Sequence, residues 1–417
     1  MHTGRLASRA DSLRVEFRLT DQVLSCLKEI GYVAQEPGFG YVQLPADLRK
    51  YKDAPAALVD LVNRDDFSPL DRINVTRLAA EDTLARLLER LEDSLGDPGY
   101  KEKTLSLHGV KTQQGLLEAK LVLWGILPAG TGKLPEDSLR QAIRKAQVLF
   151  NLPPTGKWDN NLVQALNVPL TSRIVKLRTA INYLKWIGRI QSTRLVLVVN
   201  IPAAYLKVYQ GGKVLLDMKA VVGKPRTPSP TLVSSIETLV LYPYWNVPRS
   251  IVIKELLPKI QRNLSFIDEG GYEILDGKGR RLNPYDISWS SYSGSNFPYQ
   301  IRQSTGCDNS LGVLKFDFYS PFGVYLHDTP FKSLFNRDQR FFSHGCIRLE
   351  HAVELAHLLA PEKLSIVDGL LDQGCLEHQE PVLLPLKNPA VVVVGYNLVD
   401  LDAAGNPVFY RDVYHKQ

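Results

Sequence analysis

The sequence predicts an α+β multidomain protein, in which a helical N-terminal region and a small helical module precede a mainly β domain. Two patterns support this prediction. Apolar residues recur at helical spacing up to about residue 190, and beyond that point β-branched and other apolar residues form strand-like runs with a period of two. The chain has 417 residues, more than one hydrophobic core usually organises, so we expect two or three domains.

The composition is that of an ordered globular protein. Hydrophobic residues make up 44% and charged residues 23% of the chain, close to globular averages. The formal net charge of +6 comes without a dominant basic block, so no nucleic-acid partner is indicated. The sequence contains no apolar run long enough to span a bilayer. Residues 1–20 also lack the apolar stretch of a signal peptide.

The helical part divides into three predicted pieces. Residues 1–110 are expected to form a helical scaffold, in which Leu84, Leu87 and Leu91 recur at helical spacing. A compact helical module follows over residues 111–170, where Asp159 is expected to cap the helix that starts after it. A linking helix is predicted over residues 171–190.

Residues 191–417 are predicted to form the mainly β domain. Runs such as Leu195–Asn200 and Tyr205–Tyr209 are rich in β-branched residues, and Gly211-Gly212 is typical of a hairpin turn. Between Tyr244 and Thr305 the strand pattern gives way to an apparent helix over 251–261 and a long irregular stretch. A connection of this length is more often functional than a plain loop.

The residues with the clearest chemistry lie in two short runs. One run ends with Tyr325-Leu326-His327-Asp328, and the other is Ser343-His344-Gly345-Cys346 followed by Ile347-Arg348. A cysteine nucleophile needs a neighbouring imidazole or oriented backbone dipoles, because the thiol is only slightly ionised near neutral pH. Gly345 indicates a tight turn, whose N–H groups could face a developing oxyanion. A lone Cys and His pair is usually structural and buried thiols are common, so the residues alone leave the structural alternative open.

These runs resemble the L,D-transpeptidase family, whose pattern is an upstream His, a spacer of about fifteen residues, and then Ser or Thr, His, Gly and Cys. Here His327 is followed by residues 328–342 and then by Ser343 to Cys346. The likeness extends over most of residues 190–417, and it is greatest to the large, lid-bearing transpeptidases of Gram-negative bacteria. It implies a β-sandwich catalytic domain over residues 191–417, with a lid insertion at about 246–305.

The resemblance implies the roles of the catalytic residues. Cys346 would attack a stem tetrapeptide, His327 would accept the thiol proton, and His344 would support them. The backbone N–H groups of His344, Gly345 and Cys346 would form the oxyanion hole. Either the backbone carbonyl or the side chain of Asp328 would orient His327, and the sequence does not decide between them.

The same resemblance implies a set of substrate-binding residues. Arg348 is placed to bind a stem-peptide carboxylate through a bidentate contact that lysine would not reproduce. Ser343 is expected to support the turn before the cysteine. The predicted substrate-binding set is Arg348, Ser343, Asp328, Trp245, Tyr325 and Asn309.

The family also implies the partners. These are peptidoglycan stem peptides as donors and an amine acceptor, which is another stem peptide, a D-amino acid or a wall-anchored protein. No cofactor or metal is implied. Residues 115–168 loosely resemble the peptidoglycan-binding module of wall enzymes. Because the substrate lies outside the inner membrane, we expect a periplasmic enzyme whose leader is missing from this sequence, and a target of carbapenems.

Some features depart from the family pattern or leave alternatives open. Cys307 stands where this subgroup is expected to have Pro, and we expect Cys307 and Cys375 to be free thiols rather than a disulfide. A zinc site built from His327, His344, Cys346 and Cys307 matches no common ligand spacing. L,D-carboxypeptidase activity, with water in place of the amine, would use the same residues. A non-catalytic wall-binding protein is the third alternative.

Overall fold

The computed structural model describes residues 9–29, 37–45, 54–68, 77–107, 110–191, 194–375 and 379–416. Parts of the predicted scaffold 1–110, including the first eight residues, lie outside these ranges. Helices fill most of the described part before residue 191, and strands dominate from residue 196 onward. The predicted fold class is therefore confirmed. No described helix combines the length and apolar character that a bilayer crossing requires.

From residue 79 onward, the helices of the N-terminal half bury their apolar residues in one shared core, whereas the first two helices bury theirs in a separate cluster. In α3, Leu84, Leu87 and Leu91 are buried as their spacing predicted. The Asp159 carboxylate accepts a hydrogen bond from the Leu162 N–H at 2.9 Å, which confirms the predicted cap. The helices are α1 Arg9–Glu29, α2 Ala54–Arg64, α3 Ala79–Gly96, α4 Val110–Leu123, α5 Glu136–Leu149, α6 Asn160–Leu166 and α7 Leu170–Ile190.

Helix α7 precedes the strands in the sequence and also packs against them. Its Leu177 and Leu184 are buried in one hydrophobic cluster with Val196 and Val391, which belong to strands. The same cluster also contains residues of α3 to α6. The helices therefore cover one face of the sheet, and burial of apolar surface holds the two halves together.

Ten of the described strands form one large sheet, and β15 and β16 pair with each other in a separate two-stranded sheet. Strand β5 pairs with both β10 and β14, so the chain of paired strands closes on itself in the order β5-β10-β11-β13-β4-β3-β2-β14. The predicted Gly211-Gly212 hairpin joins β3 to β4, and both glycines have the positive φ that such a turn requires. The strands are β1 Tyr41–Val42, β2 Val196–Asn200, β3 Tyr205–Gln210, β4 Lys213–Gly223, β5 Leu232–Leu241, β10 Leu314–Phe318, β11 Leu326–His327, β12 Phe341–Ser343, β13 Ile347–Leu349, β14 Val382–Gly395, β15 Val399–Leu401 and β16 Pro407–Phe409.

Residues 245–303, here called the insertion, have a hydrophobic core of their own. Ile260, Ile274, Trp289 and Ile301 are among its buried residues. The insertion contains a four-stranded sheet and a helical stretch with a π-helical turn. Its elements are β6 Trp245–Asn246, α8 Arg249–Ile251, the π-helical turn Val252–Leu256, α9 Leu257–Arg262, α10 Phe266–Glu269, β7 Tyr272–Leu275, β8 Arg281–Leu282 and β9 Gln300–Gln303.

Both connections of the insertion are anchored near the end of helix α12 (Leu364–Asp372). In the first connection, the Tyr242 hydroxyl donates to the backbone oxygens of Leu370 and Gly374. In the second, Cys307 forms a disulfide with Cys375, with their Cα atoms 5.6 Å apart. The expectation of free thiols is therefore wrong. The two cysteines are 68 residues apart in sequence, and their spacing gave no indication that the fold brings them within bonding distance.

Arg173 of α7 lies where the helices meet the C-terminal strands. Its guanidinium stands 4.7 Å from the ring centre of Phe150 and 4.8 Å from that of Phe409. It also donates to the Ala165 carbonyl. Because the side chain is buried, burial lowers its pKa to about 10. Arg173 therefore links α5, α7 and β16 through contacts from which water is excluded.

Arg173→Ala is expected to destabilise the protein by about 2–4 kcal/mol, because it removes both the buried packing and the cation–π contacts. Urea unfolding measures the loss. Arg178→Ala on the same helix is the matched control, since Arg178 makes only an exposed ion pair with Glu92, which is worth about 0–1 kcal/mol. Equal losses in the two variants would contradict the role given to Arg173.

Candidate active site

His327 and Cys346 are brought to one face of the sheet by strand register. Strands β11 and β13 are parallel neighbours, with Leu326 opposite Ile347 and His327 opposite Arg348. Side chains alternate along a strand, so Cys346 and Arg348 project to the same face as His327. Cys346 is half-buried, and no hydrogen bond joins its sulfur to His327 among the bonds of residues 194–375. Such bonds are often long in an unliganded enzyme.

The turn before Cys346 is held by hydrogen bonds within the protein. Gly345 has φ +120°, which a side chain would disfavour. The buried Ser343 hydroxyl donates to the Cys346 carbonyl at 2.5 Å and accepts from the Gly345 N–H at 3.1 Å. The Ser229 hydroxyl donates to the Gly345 carbonyl at 2.7 Å. Ser343 therefore supports the turn, and its position is not that of a substrate ligand.

These bonds decide which backbone groups are available to an oxyanion. The Gly345 N–H is already used by Ser343. Within the described residues, the N–H groups of His344 and Cys346 have no hydrogen-bond partner in the protein. The three donors expected from the sequence are thus reduced to two in this structure.

His327 is oriented by a backbone oxygen. Its Nδ1 lies 2.5 Å from the Asp328 carbonyl oxygen, which can only accept, so Nδ1 carries the proton and Nε2 can take another. The Asp328 side chain is directed elsewhere, because it pairs with Lys332 Nζ at 2.5 Å and accepts from the Val313 N–H at 3.1 Å. The carbonyl, not the carboxylate, therefore contacts the imidazole. The carboxylate supports the neighbouring loop.

Burial favours the uncharged forms of the Cys346 thiol and the His327 imidazole. Burial raises the pKa of the Cys346 thiol, and contacts with Tyr325 and the charges of Lys315 and Arg348 offset part of that rise. Burial, helped by Arg348, lowers the pKa of His327 to about 3. Near neutral pH the imidazole is therefore an unprotonated base beside a protonated thiol. This state suits proton transfer during attack rather than a preformed thiolate.

Tyr325 and Arg348, two of the predicted substrate-binding residues, lie near the Cys346 thiol. Tyr325 lies beside both Cys346 and Trp245, which shift its pKa in opposite directions, although burial is the larger cause and raises that pKa. Arg348 Nε is buried and has no hydrogen-bond partner among the described residues. Burial lowers the pKa of Arg348. Arg348 is therefore a cation close to the thiol with a donor to spare.

Asn309 is buried and hydrogen-bonded to backbone groups of the protein. It is 2% exposed, and its amide donates to the carbonyls of Pro243 and Ser304 at 3.1 and 2.7 Å. Its Oδ1 accepts from the Leu311 N–H. These bonds join the two connections of the insertion to each other. Asn309 thus has its polar atoms occupied, and its position is structural.

Two residues near the site did not emerge from the sequence. Lys315 is opposite His327 on β10, and its Nζ lies 4.8 Å from the Tyr325 ring centre and 2.8 Å from Asp317. Glu255, in the π-helical turn of the insertion, places its Oε1 2.6 Å from His344 Nε2. Alternation along the strand could have indicated Lys315. No sequence signal pointed to Glu255, which is 89 residues from its partner.

The zinc alternative gains no support from this geometry. The described residues contain no group of three or more His, Cys, Asp or Glu side chains arranged to hold a metal ion. Cys307, one of the ligands considered, is bonded to Cys375. A disulfide sulfur is not available as a thiolate ligand.

Lowering the pH from 7 to 5 is expected to reduce the free energy of unfolding by about 2 kcal/mol through His327 alone. The folded pKa of about 3 lies below the ordinary value of 6.5. Between these values the unfolded chain binds a proton that the folded protein does not, so stability falls as pH falls. Urea unfolding at both pH values measures the change. His327→Gln should show a smaller pH dependence, and an identical dependence would count against the shifted pKa.

Comparisons with known proteins agree with the position of this site. Residues 194–375 match the family model described as YkuD, the L,D-transpeptidase catalytic domain. A curated Haemophilus influenzae protein named "Putative L,D-transpeptidase" is 39% identical over 164 residues, which cover 39% of this chain and 33% of that protein. The chain thus spans about a third of the length of that relative.

The solved structures have lower sequence identity to this chain than the Haemophilus influenzae protein has. An L,D-transpeptidase from Mycobacterium smegmatis is 17% identical with a TM-score of 0.23, covering 48% of this chain and 58% of that one. The catalytic domain of an E. faecium L,D-transpeptidase acylated by ertapenem is 15% identical with a TM-score of 0.21, covering 46% and 96%.

Proposed function

We propose that the protein crosslinks peptidoglycan through a Cys346 acyl-enzyme, since residues 194–375 match the model of the L,D-transpeptidase catalytic domain. The observation that carries this proposal is the pairing of β11 with β13, which gives Cys346 and His327 a common face. Because Nδ1 is directed at the Asp328 carbonyl, Nε2 is the nitrogen that would accept the thiol proton. The donor would be a stem tetrapeptide, and the acceptor an amine.

In the first half-reaction, Cys346 Sγ attacks the carbonyl carbon of the L,D peptide bond, and His327 Nε2 accepts the thiol proton. The N–H groups of His344 and Cys346 are available to stabilise the oxyanion. The carbon–nitrogen bond then breaks. The released D-amino acid takes the proton from His327, and the remaining tripeptide stays bound to sulfur as a thioester.

In the second half-reaction, the acceptor amine attacks the thioester carbonyl and gives one proton to His327. The carbon–sulfur bond breaks, and the thiolate regains that proton. The net change is the exchange of one amide for another, with a D-amino acid released. Arg348 would bind a carboxylate of the stem peptide, since its buried guanidinium has an unused donor.

The surrounding regions have proposed roles of their own. The insertion, corresponding to the predicted lid at 246–305, would cover the thioester and exclude water. Trp245 and Tyr325 would line the cleft beneath it. Residues 111–170 would bind the wall polymer, and a wall substrate would place the enzyme in the periplasm. D-amino acids and wall-anchored proteins are further candidates for the acceptor.

Mass spectrometry of purified tetrapeptide muropeptides after incubation with the protein tests the proposal. Crosslinked dimers that have lost one terminal D-residue are the expected products. Tripeptides alone would mean that water resolves the acyl-enzyme, as in an L,D-carboxypeptidase. Unchanged muropeptides would reject both activities, and binding to sacculi would then favour a wall-binding protein.

A further inference from the structure

The insertion contacts the turn before Cys346 through a side-chain hydrogen bond. Glu255 Oε1 lies 2.6 Å from His344 Nε2, and the two side chains are 44% and 33% exposed. Glu255 belongs to the π-helical turn, whose Val252 and Leu256 are buried in the core of the insertion. Its carboxylate is thus carried by a well-packed element. At the other end of the contact, His344 directly precedes Gly345 and Cys346.

A second contact joins the insertion to the same site. Trp245, the first residue of the insertion, approaches the Tyr325 hydroxyl, which also lies beside the Cys346 thiol. Trp245 lies at a connection anchored through Tyr242 and Asn309. Glu255 is ten residues further along, on a helical stretch for which the described residues record no disulfide or side-chain hydrogen bond to the large sheet other than the Glu255 and His344 contact. The Glu255 and His344 pair is therefore the contact best placed to hold the far part of the insertion down.

We propose that Glu255 is a positioning residue that closes the insertion over the Cys346 thioester by binding His344. This inference rests on the proposed transpeptidase function. A closed insertion limits access of water to the thioester, so an acceptor amine competes better. Loss of the pair raises the open fraction and lets water in. The pair thus acts on the fate of the acyl-enzyme rather than on its formation.

The test compares Glu255→Ala with Lys254→Ala, its exposed neighbour in the same π-helical turn. A partly exposed pair is weak, so the ratio of crosslinked dimer to tripeptide should fall about two- to fivefold in Glu255→Ala. The ratio should not change in Lys254→Ala. Glu255→Gln, which can still hydrogen-bond the imidazole, should recover part of the ratio. The rate at which carbapenem acylates Cys346 should change less than the ratio does.

Hydrogen exchange of residues 249–262 gives a measurement that does not need activity. These amides should exchange about two- to fivefold faster in Glu255→Ala than in the native protein. If exchange and product ratio are both unchanged while the native protein makes dimers, the positioning role is overturned and the proposed function stands. If the native protein forms no acyl-enzyme, the proposed function fails, and unchanged exchange would then overturn the closing contact independently.

Discussion

Cys346→Ala is expected to remove both the covalent carbapenem adduct and all formation of crosslinked dimers. The reason is that the sulfur is the atom to which the acyl group becomes attached in the proposed mechanism. Intact-mass measurement after incubation with a carbapenem detects the adduct directly. Dimer formation should fall by about 10³-fold or more, to the background of the assay.

The chain contains a matched control for this experiment. Cys26 is the other free cysteine among the described residues, and it is exposed on α1. Cys26→Ala should keep the adduct and the full rate of dimer formation. If the adduct persists in Cys346→Ala but disappears in Cys26→Ala, the reactive thiol is that of Cys26. The proposed mechanism would then have to be abandoned.

His327→Gln is expected to lower kcat/KM for dimer formation by about 10²- to 10⁴-fold, the usual contribution of a general base. Burial raises the pKa of the Cys346 thiol and lowers the pKa of His327. The neutral imidazole of native His327 is therefore needed to accept the proton of the thiol. Raising the pH should restore part of the rate of carbapenem acylation in the variant, since ionisation of the thiol then no longer needs the base.

The control for this substitution is His357→Gln. His357 lies on helix α11 (Ala352–Leu359) and pairs with Asp368 at 2.7 Å, away from β11 and β13. The control should retain native activity and its pH profile. Because His327 is buried, thermal unfolding of both variants checks that they are folded. Native kcat/KM in a folded His327→Gln variant would show that the base has been misidentified.

The sequence predicted the broad fold because helix and strand periodicities are local properties. The buried face of α3 and the cap at Asp159 both follow from spacings of a few residues. The hairpin at Gly211 and Gly212 is local in the same way. Strand β11, by contrast, consists of only Leu326 and His327. A short strand between two turns leaves too few residues for alternation to be read.

The catalytic pair could be proposed from sequence because residue types and spacing are visible there, whereas bonding partners are not. Asp328 presents its backbone carbonyl to His327, while its carboxylate is held by Lys332. Asn309 was predicted to bind substrate, but its amide is used between two segments that meet only in the fold. Glu255 was missed for the same reason. Contacts across many residues depend on tertiary packing, which no local pattern encodes.

The bond between Cys307 and Cys375 has a consequence for how the protein must be made. Disulfides persist in oxidising compartments and are rare where glutathione and thioredoxin keep thiols reduced. A chain folded in a reducing cytosol would keep two extra thiols next to the second connection of the insertion. Either of them could capture Cys346 in a wrong pairing by thiol–disulfide exchange during later oxidation. Correct maturation therefore requires that the structural pair closes while the reactive thiol stays reduced.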